Sequence, residues 1–220
     1  MDEKLLYELD DSIAYLKHRW PDWQLGPKPD ADFIARNRDR FPDYMFYMWE
    51  YLGFAESHPG GVWLTNPEEF EPIVANILEG TGLEEIDDFI VTRRNAFGDL
   101  YLYGIHTGST LTVDIPFLRI FPTIERKKQT ERFKLISFTG TLCFHRKGYN
   151  EKLFAQCQKK LGTLSVDEVY GFAPHPALGG NKILKYAMKT DLLPYLNMVS
   201  QLDQFGVMRD IYHSIHGDDE

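Results

Sequence analysis

Cysteine is almost missing from this chain: Cys143 and Cys157 are the only two in 220 residues. So few thiols cannot build a disulfide framework, and no C-x-x-C pair is present to start a zinc site. We expect both thiols to be reduced and buried. Long apolar runs are missing too, and without about 18 consecutive apolar residues no helix spans a membrane. The opening stretch "MDEKLLYELDD" is acidic and lacks the basic start and apolar centre of a signal peptide, so a cytosolic location is expected. Neither G-x-G-x-x-G nor G-x-x-x-x-G-K-[ST] occurs, and Gly179-Gly180 in "ALGGNKI" reads as a tight turn. There is no H-E-x-x-H and no G-x-S-x-G elbow. Cys143 and His145 would share one face of a strand, and His213 and His216 lie three apart, but neither pair has the further ligands a metal needs. We therefore expect no metal, no cofactor and no catalytic residue.

Positive charge is the scarcer sign, 24 Lys and Arg against 33 Asp and Glu, giving a net charge of −9. The imbalance is uneven. Residues 1–124 hold 10 basic and 22 acidic side chains, residues 125–160 hold 10 and 3, and residues 161–220 hold 4 and 8. So acidic a chain repels nucleic-acid phosphates and suits a basic partner, or simply stays soluble. The basic cluster Arg126, Lys127, Lys128, Arg132 and Lys134 has only Phe133 for base stacking and reads as a solvated face.

Hydrophobics make up 43% of the residues, enough for one sizeable core. Leu5, Leu9, Ile13 and Leu16 follow helical spacing over 3–19, and Trp20-Pro21 ends that helix. The proline-rich "PDWQLGPKPD" then separates a 1–20 appendage from the main body. Helices are expected over 30–40 and after "RFPDY", where Met45, Met48, Trp49 and Leu52 form a core stripe. Val62–Leu64 reads as a strand, followed by a helix with Asn66 as cap and Pro67 first. "DFIVTRRNAFGDLYLYGI" gives two strands around a turn at Asn95–Asp99, and "TLTVDI" and "FLRIF" extend the sheet. A helix is expected within 125–147, and a clear one from the cap Asn150 with Leu153, Phe154, Cys157 and Leu161 buried. Ser165 and Glu168 fit a capping box, which predicts one helical turn before a strand over Tyr170–Ala173. "KILKYAM" reads as a strand and Thr190 as the cap of a last helix to Leu202. The fold class is α+β: a single compact domain with a central, mostly antiparallel sheet flanked by helices and an appended N-terminal helix.

The pieces in order carry a resemblance. "FPDYMFYMWEYLGFA", "GGVWLTNPEEFEPIV", "RNAFGDLYLYG" and "LGTLSVDEVYGFAPHPALGG" are together similar to the GAD-like immunity proteins found beside nuclease toxins of bacterial type VI secretion systems. The likeness runs from about residue 24 to 202. It divides the chain into a 24–124 GAD-like part, a 125–205 immunity part and a 206–220 tail. Arg126–Lys147 departs from the family pattern, and the helix 3–19 lies outside it.

The resemblance implies a cytosolic, non-enzymatic antitoxin whose partner is a DNase toxin, with no membrane role and nucleic acid as at most an autoregulatory ligand. Its motif residues Gly98, Asp99, Asp167, Glu168, Tyr170, Gly171, Phe172, Pro174, Gly179 and Gly180 are assigned structural roles. For partner contact the candidates are the acidic Glu84, Glu85, Asp87 and Asp88, and the aromatic Trp63 and Tyr101. A regulatory DNA- or protein-binding module and a small-molecule enzyme are the alternatives.

Overall fold

Helical spacing places Leu9, Ile13 and Leu16 on one side of α1 (Glu3–Arg19), and all three are buried. The computed structural model describes residues 3–19, 24–54, 61–142 and 150–210. Asp30 caps α2 (Ala31–Asn37), its carboxylate accepting from the Phe33 N–H at 2.7 Å. Pro42 leads into α3 (Asp43–Leu52), which buries Tyr44, Met45, Met48, Trp49 and Leu52. Gly53 closes α3 with φ +66°, and a side chain there would strike the Gly26 carbonyl. The expected 30–40 helix is shorter because its N–H groups beyond Asn37 turn back on that residue.

The expected sheet forms. β1 (Val62–Leu64), β2 (Phe89–Asn95), β3 (Leu100–Gly104), β4 (Thr110–Asp114) and β5 (Arg119–Thr123) pair antiparallel in that order. A bulge falls between Val91 and Arg93, so Val91 faces Leu102 and Arg93 faces Tyr101. The strand read at "FLRIF" starts later than expected, because Ile115–Phe117 takes a 3-10 turn. Asn66 does cap the next segment, but as a 3-10 turn over Pro67–Phe70 that runs into α4 (Glu71–Leu78).

The predicted 125–147 helix is present as α5 (Glu131–Leu142), and residues 143–149, with Cys143 and His145, lie outside the described residues. Asn150 caps α6 (Glu151–Leu161), whose Cys157 is a buried free thiol pushed up to about 11 by burial. β6 (Glu168–Phe172) and β7 (Ala187–Asp191) form a separate antiparallel pair. α7 (Leu192–Val199) follows, and β8 (Gly206–Val207) joins β5 in parallel.

Three expectations in this part are corrected. Ser165–Glu168 is a β-turn rather than a helical turn: the Glu168 N–H bonds the Ser165 carbonyl, and the Glu168 carboxylate reaches back to the Ser165 N–H at 2.8 Å. "KILKYAM" contributes only Ala187 and Met188 to a strand, because the Tyr186 N–H closes a turn on Ile183. Thr190 lies within β7, and Asp191 takes the cap position of α7.

One face of the large sheet packs α4 and α7 against Val91, Leu102, Leu111, Val113 and Ile120. The other receives α1, α3 and α5 around Ile90 and Tyr103. A third cluster joins Trp63 and Phe97 to α6 and the small sheet through Phe154, Tyr170 and Phe172. The first cluster draws on both halves of the chain, from Phe70 in the first to Val169, Leu196 and Phe205 in the second.

Candidate functional site

Two concavities hold the residues of interest. The first is a groove of about 690 Å³ between α4 and the loop that leads into β2. Its walls bring together all four acidic candidates, Glu84, Glu85, Asp87 and Asp88, with Arg40, Glu71 and His106. They stay together because Glu84 folds the loop onto the end of α4: its carboxylate accepts from the Gly80 N–H at 2.7 Å and from the Thr81 hydroxyl at 3.1 Å. Its own backbone N–H, and then those bonds, lower its carboxyl from the ordinary value.

The four acids play different roles. Asp87 is buried and turned inward, accepting from the N–H groups of His106 and Thr107 at 2.9 and 2.7 Å and from the Thr107 hydroxyl at 2.6 Å. Gly104 makes room for it, since a side chain there would meet the Asp87 carboxylate at 2.4 Å. Asp88 takes both ends of the Arg40 guanidinium at 3.0 and 3.2 Å, and Arg40 also pairs with Glu71. Glu84 and Glu85 stand exposed, with the exposed Ile86 beside them. Asp87 as a surface contact is therefore corrected: its oxygens are committed to the fold.

Trp63 and Tyr101 are elsewhere. Trp63 is 1% exposed and its ring carries the Arg94 guanidinium at 3.7 Å, so the expectation of an exposed partner contact fails for it. Tyr101 is partly buried on the sheet, covered by Arg93 at 3.6 Å, which limits what it offers a partner.

Trp63 instead lines the second concavity, a cleft of about 600 Å³ that sequence reading did not find. The cleft lies between the Gln24–Pro27 segment, the β1 region and the start of α7. Phe54, Phe70, Leu192 and Pro194 supply apolar wall, and Glu69, Asp167 and Asp191 supply carboxylates. Arg94 ties its two sides, donating to the Val166 carbonyl. Partial desolvation, and then the nearby Asp167 charge, raise the Glu69 carboxyl above its ordinary value. No single segment could have shown this site, because its walls come from six separate stretches of the chain.

The motif residues take structural roles. Gly98 adopts φ +85° in the β2–β3 turn, close against Leu196. Asp99 accepts from the Asn95 amide at 2.8 Å and pairs with Lys182 at 3.4 Å. Gly171 lies under the Tyr195 ring, 2.7 Å from where a Cβ would stand, and Phe172 stacks on Phe97. The Tyr170 hydroxyl donates to the Gly162 carbonyl, and Glu168 pairs with Lys189 at 3.0 Å. The Ala173–Pro174 bond is cis, Gly179 has φ +85°, and Gly180 packs on Pro174 too closely for any side chain. His175 is buried, accepting the Ala177 N–H at Nδ1, and burial lowers its pKa. Asp167 differs from the rest, standing exposed on the cleft.

Among the described residues no group of three His, Cys, Asp or Glu side chains is placed to hold a metal ion. No described helix is long and apolar enough to cross a membrane. The basic cluster is partly neutralised, with Arg132 on Glu8 at 2.7 Å and Lys134 on Glu131 at 2.9 Å.

Comparison with known proteins places this geometry. Residues 24–117 match the family model of the GAD-like domain, and residues 129–203 match that of the T6SS immunity protein Tdi1, C-terminal. Among solved structures the chain is similar to Atu4351 from Agrobacterium tumefaciens, at 21% identity over 88% of this chain and 90% of that one, with a TM-score of 0.69. That likeness speaks for the shared fold. No curated protein matches the sequence.

Proposed function

Because the chain belongs to the GAD-like family of type VI secretion immunity proteins, we propose that it neutralises a DNA-cleaving toxin in the cytosol by occupying the toxin's DNA-binding surface. A DNase presents a basic groove to its substrate. A protein of net charge −9 competes for such a groove and is steered into it. The observation that supports this best is the α4 groove, where the exposed Glu84 and Glu85 join Glu71 and Asp88, the latter two shared by Arg40. Glu84 and Glu85 project from it, with Ile86 as an apolar centre. The chain acts by occupancy: the toxin keeps its catalytic groups and loses access to DNA.

The test is the association rate with the nuclease toxin from the neighbouring gene, followed by stopped flow between about 0.05 and 0.3 M salt. The on-rate is expected to fall at least about tenfold across that range. Glu84→Lys with Glu85→Lys should lower it further while changing dissociation less. An on-rate indifferent to salt, or a toxin that cleaves DNA equally well in the presence of this protein, overturns the reading.

A further inference from the structure

The second concavity has features that the acidic groove does not explain. It is a recess of about 600 Å³, within the range of about 300–1,000 Å³ typical of ligand pockets. Three carboxylates stand on its rim, Glu69, Asp167 and Asp191, and none of them makes an ion pair among the described residues. Among the described residues the cation in the wall is Arg94, which is buried and bonded to the Asn95 and Val166 carbonyls, so the described lining carries a net negative charge. The Trp63 indole is 99% buried in that same wall, and its N–H finds no acceptor among the described residues. The apolar rim is also open, with Leu25 and Val166 both more than half exposed.

These demands select one kind of occupant. A polyamine brings cations but no flanking residues to cover the exposed Leu25 and Val166. A nucleotide brings phosphate, which the three carboxylates repel. An extended peptide with a lysine or arginine supplies a cation for the rim and apolar stem for the walls. We propose that this cleft is a second docking site of the protein, which seats a basic, extended segment of the toxin. The proposal rests on the immunity reading for the source of that segment. Its chemistry, a cationic peptide, follows from the cleft alone.

The experiment follows the Trp63 indole N–H by ¹H–¹⁵N NMR, with Trp63→Phe to identify its signal. Adding the toxin should move that signal, and the Glu69→Gln, Asp167→Asn, Asp191→Asn triple variant should bind the toxin at least about tenfold more weakly. None of these carboxylates makes an ion pair among the described residues, so the triple variant should unfold at the wild-type urea midpoint. A toxin that binds the triple variant as tightly as wild type and leaves the indole unmoved overturns the proposal. If the toxin does not bind at all, the immunity reading fails, and blocked Ala-Lys-Ala and Ala-Arg-Ala peptides then decide the cleft by themselves. A shift with these peptides and none with the norleucine analogue sustains a cationic-peptide site. No shift, or an equal shift with spermine, removes it.

Discussion

Replacing Asp87 with alanine should unfold this protein more readily without first disturbing its encounter with a toxin. The carboxylate receives three hydrogen bonds, from His106 N–H, Thr107 N–H and the Thr107 hydroxyl, at 2.6 to 2.9 Å. Bonds to a charged group contribute about 1.5–3 kcal/mol each, which sets an upper range of about 4.5–9 kcal/mol. Two effects reduce that figure. His106 is exposed, so water reaches part of the vacated loop, and repulsion from neighbouring acids is relieved. We expect a loss of about 3–4 kcal/mol, comparable to breaking a buried charge partnership. In a chain of this length that lowers Tm by roughly 6–16 °C. Asp87→Asn keeps the shape but turns an amide toward two N–H donors, and should cost about half as much. Urea unfolding with a constant m value measures both. A loss below about 1 kcal/mol for Asp87→Ala, together with a slower toxin on-rate, would show that Asp87 faces the partner and that the anchoring argument is wrong.

The buried tyrosine pair gives a sharper test of hydrogen-bond satisfaction. Tyr44 and Tyr103 share a bond of 2.9 Å, and Tyr103 also donates to the Lys134 carbonyl at 3.0 Å. Tyr103→Phe should cost about 2–3 kcal/mol because it strands the Tyr44 hydroxyl, Tyr44→Phe about 1, and the double variant less than their sum. Additive losses in the urea cycle would refute the pairing. His175 makes a pH prediction. Burial holds its folded pKa below the ordinary value of about 6.5, so below that pH the unfolded chain takes up the proton more readily and stability is lost as pH falls. The urea midpoint should drop between about pH 7.5 and 5.5, and by less in His175→Gln. An equal drop in both proteins would remove His175 as a cause.

Local chemistry was legible in the sequence where one residue decides the outcome. Asn150 and Asn66 cap as expected, and the apolar stripes of α1, α3 and α6 are buried as their spacing predicts, except Leu5 and Leu161, which are partly buried. The errors arose where distant contacts decide. The "KILKYAM" stretch reads as a strand by its apolar residues, yet Lys182 is drawn to Asp99 and the face of Phe97, and a turn precedes β7. β8 is two residues long and exists only because β5 offers it an edge. The acidic groove was partly readable because Glu84–Asp88 is contiguous, but an irregular loop has no period to show that Asp87 turns inward. The cleft was invisible, since Glu69 lies 98 residues before Asp167 and 122 before Asp191 in sequence.

The two family-matched segments meet in one apolar cluster, with Val169, Leu196 and Val199 packed among side chains from α4 and the large sheet. A hybrid that joins the first segment of this protein to the second of a divergent relative would therefore inherit mismatched surfaces at its centre, and should form inclusion bodies unless the facing positions travel together. New toxin specificity is open to change at the loops, while the two halves must drift as a matched set.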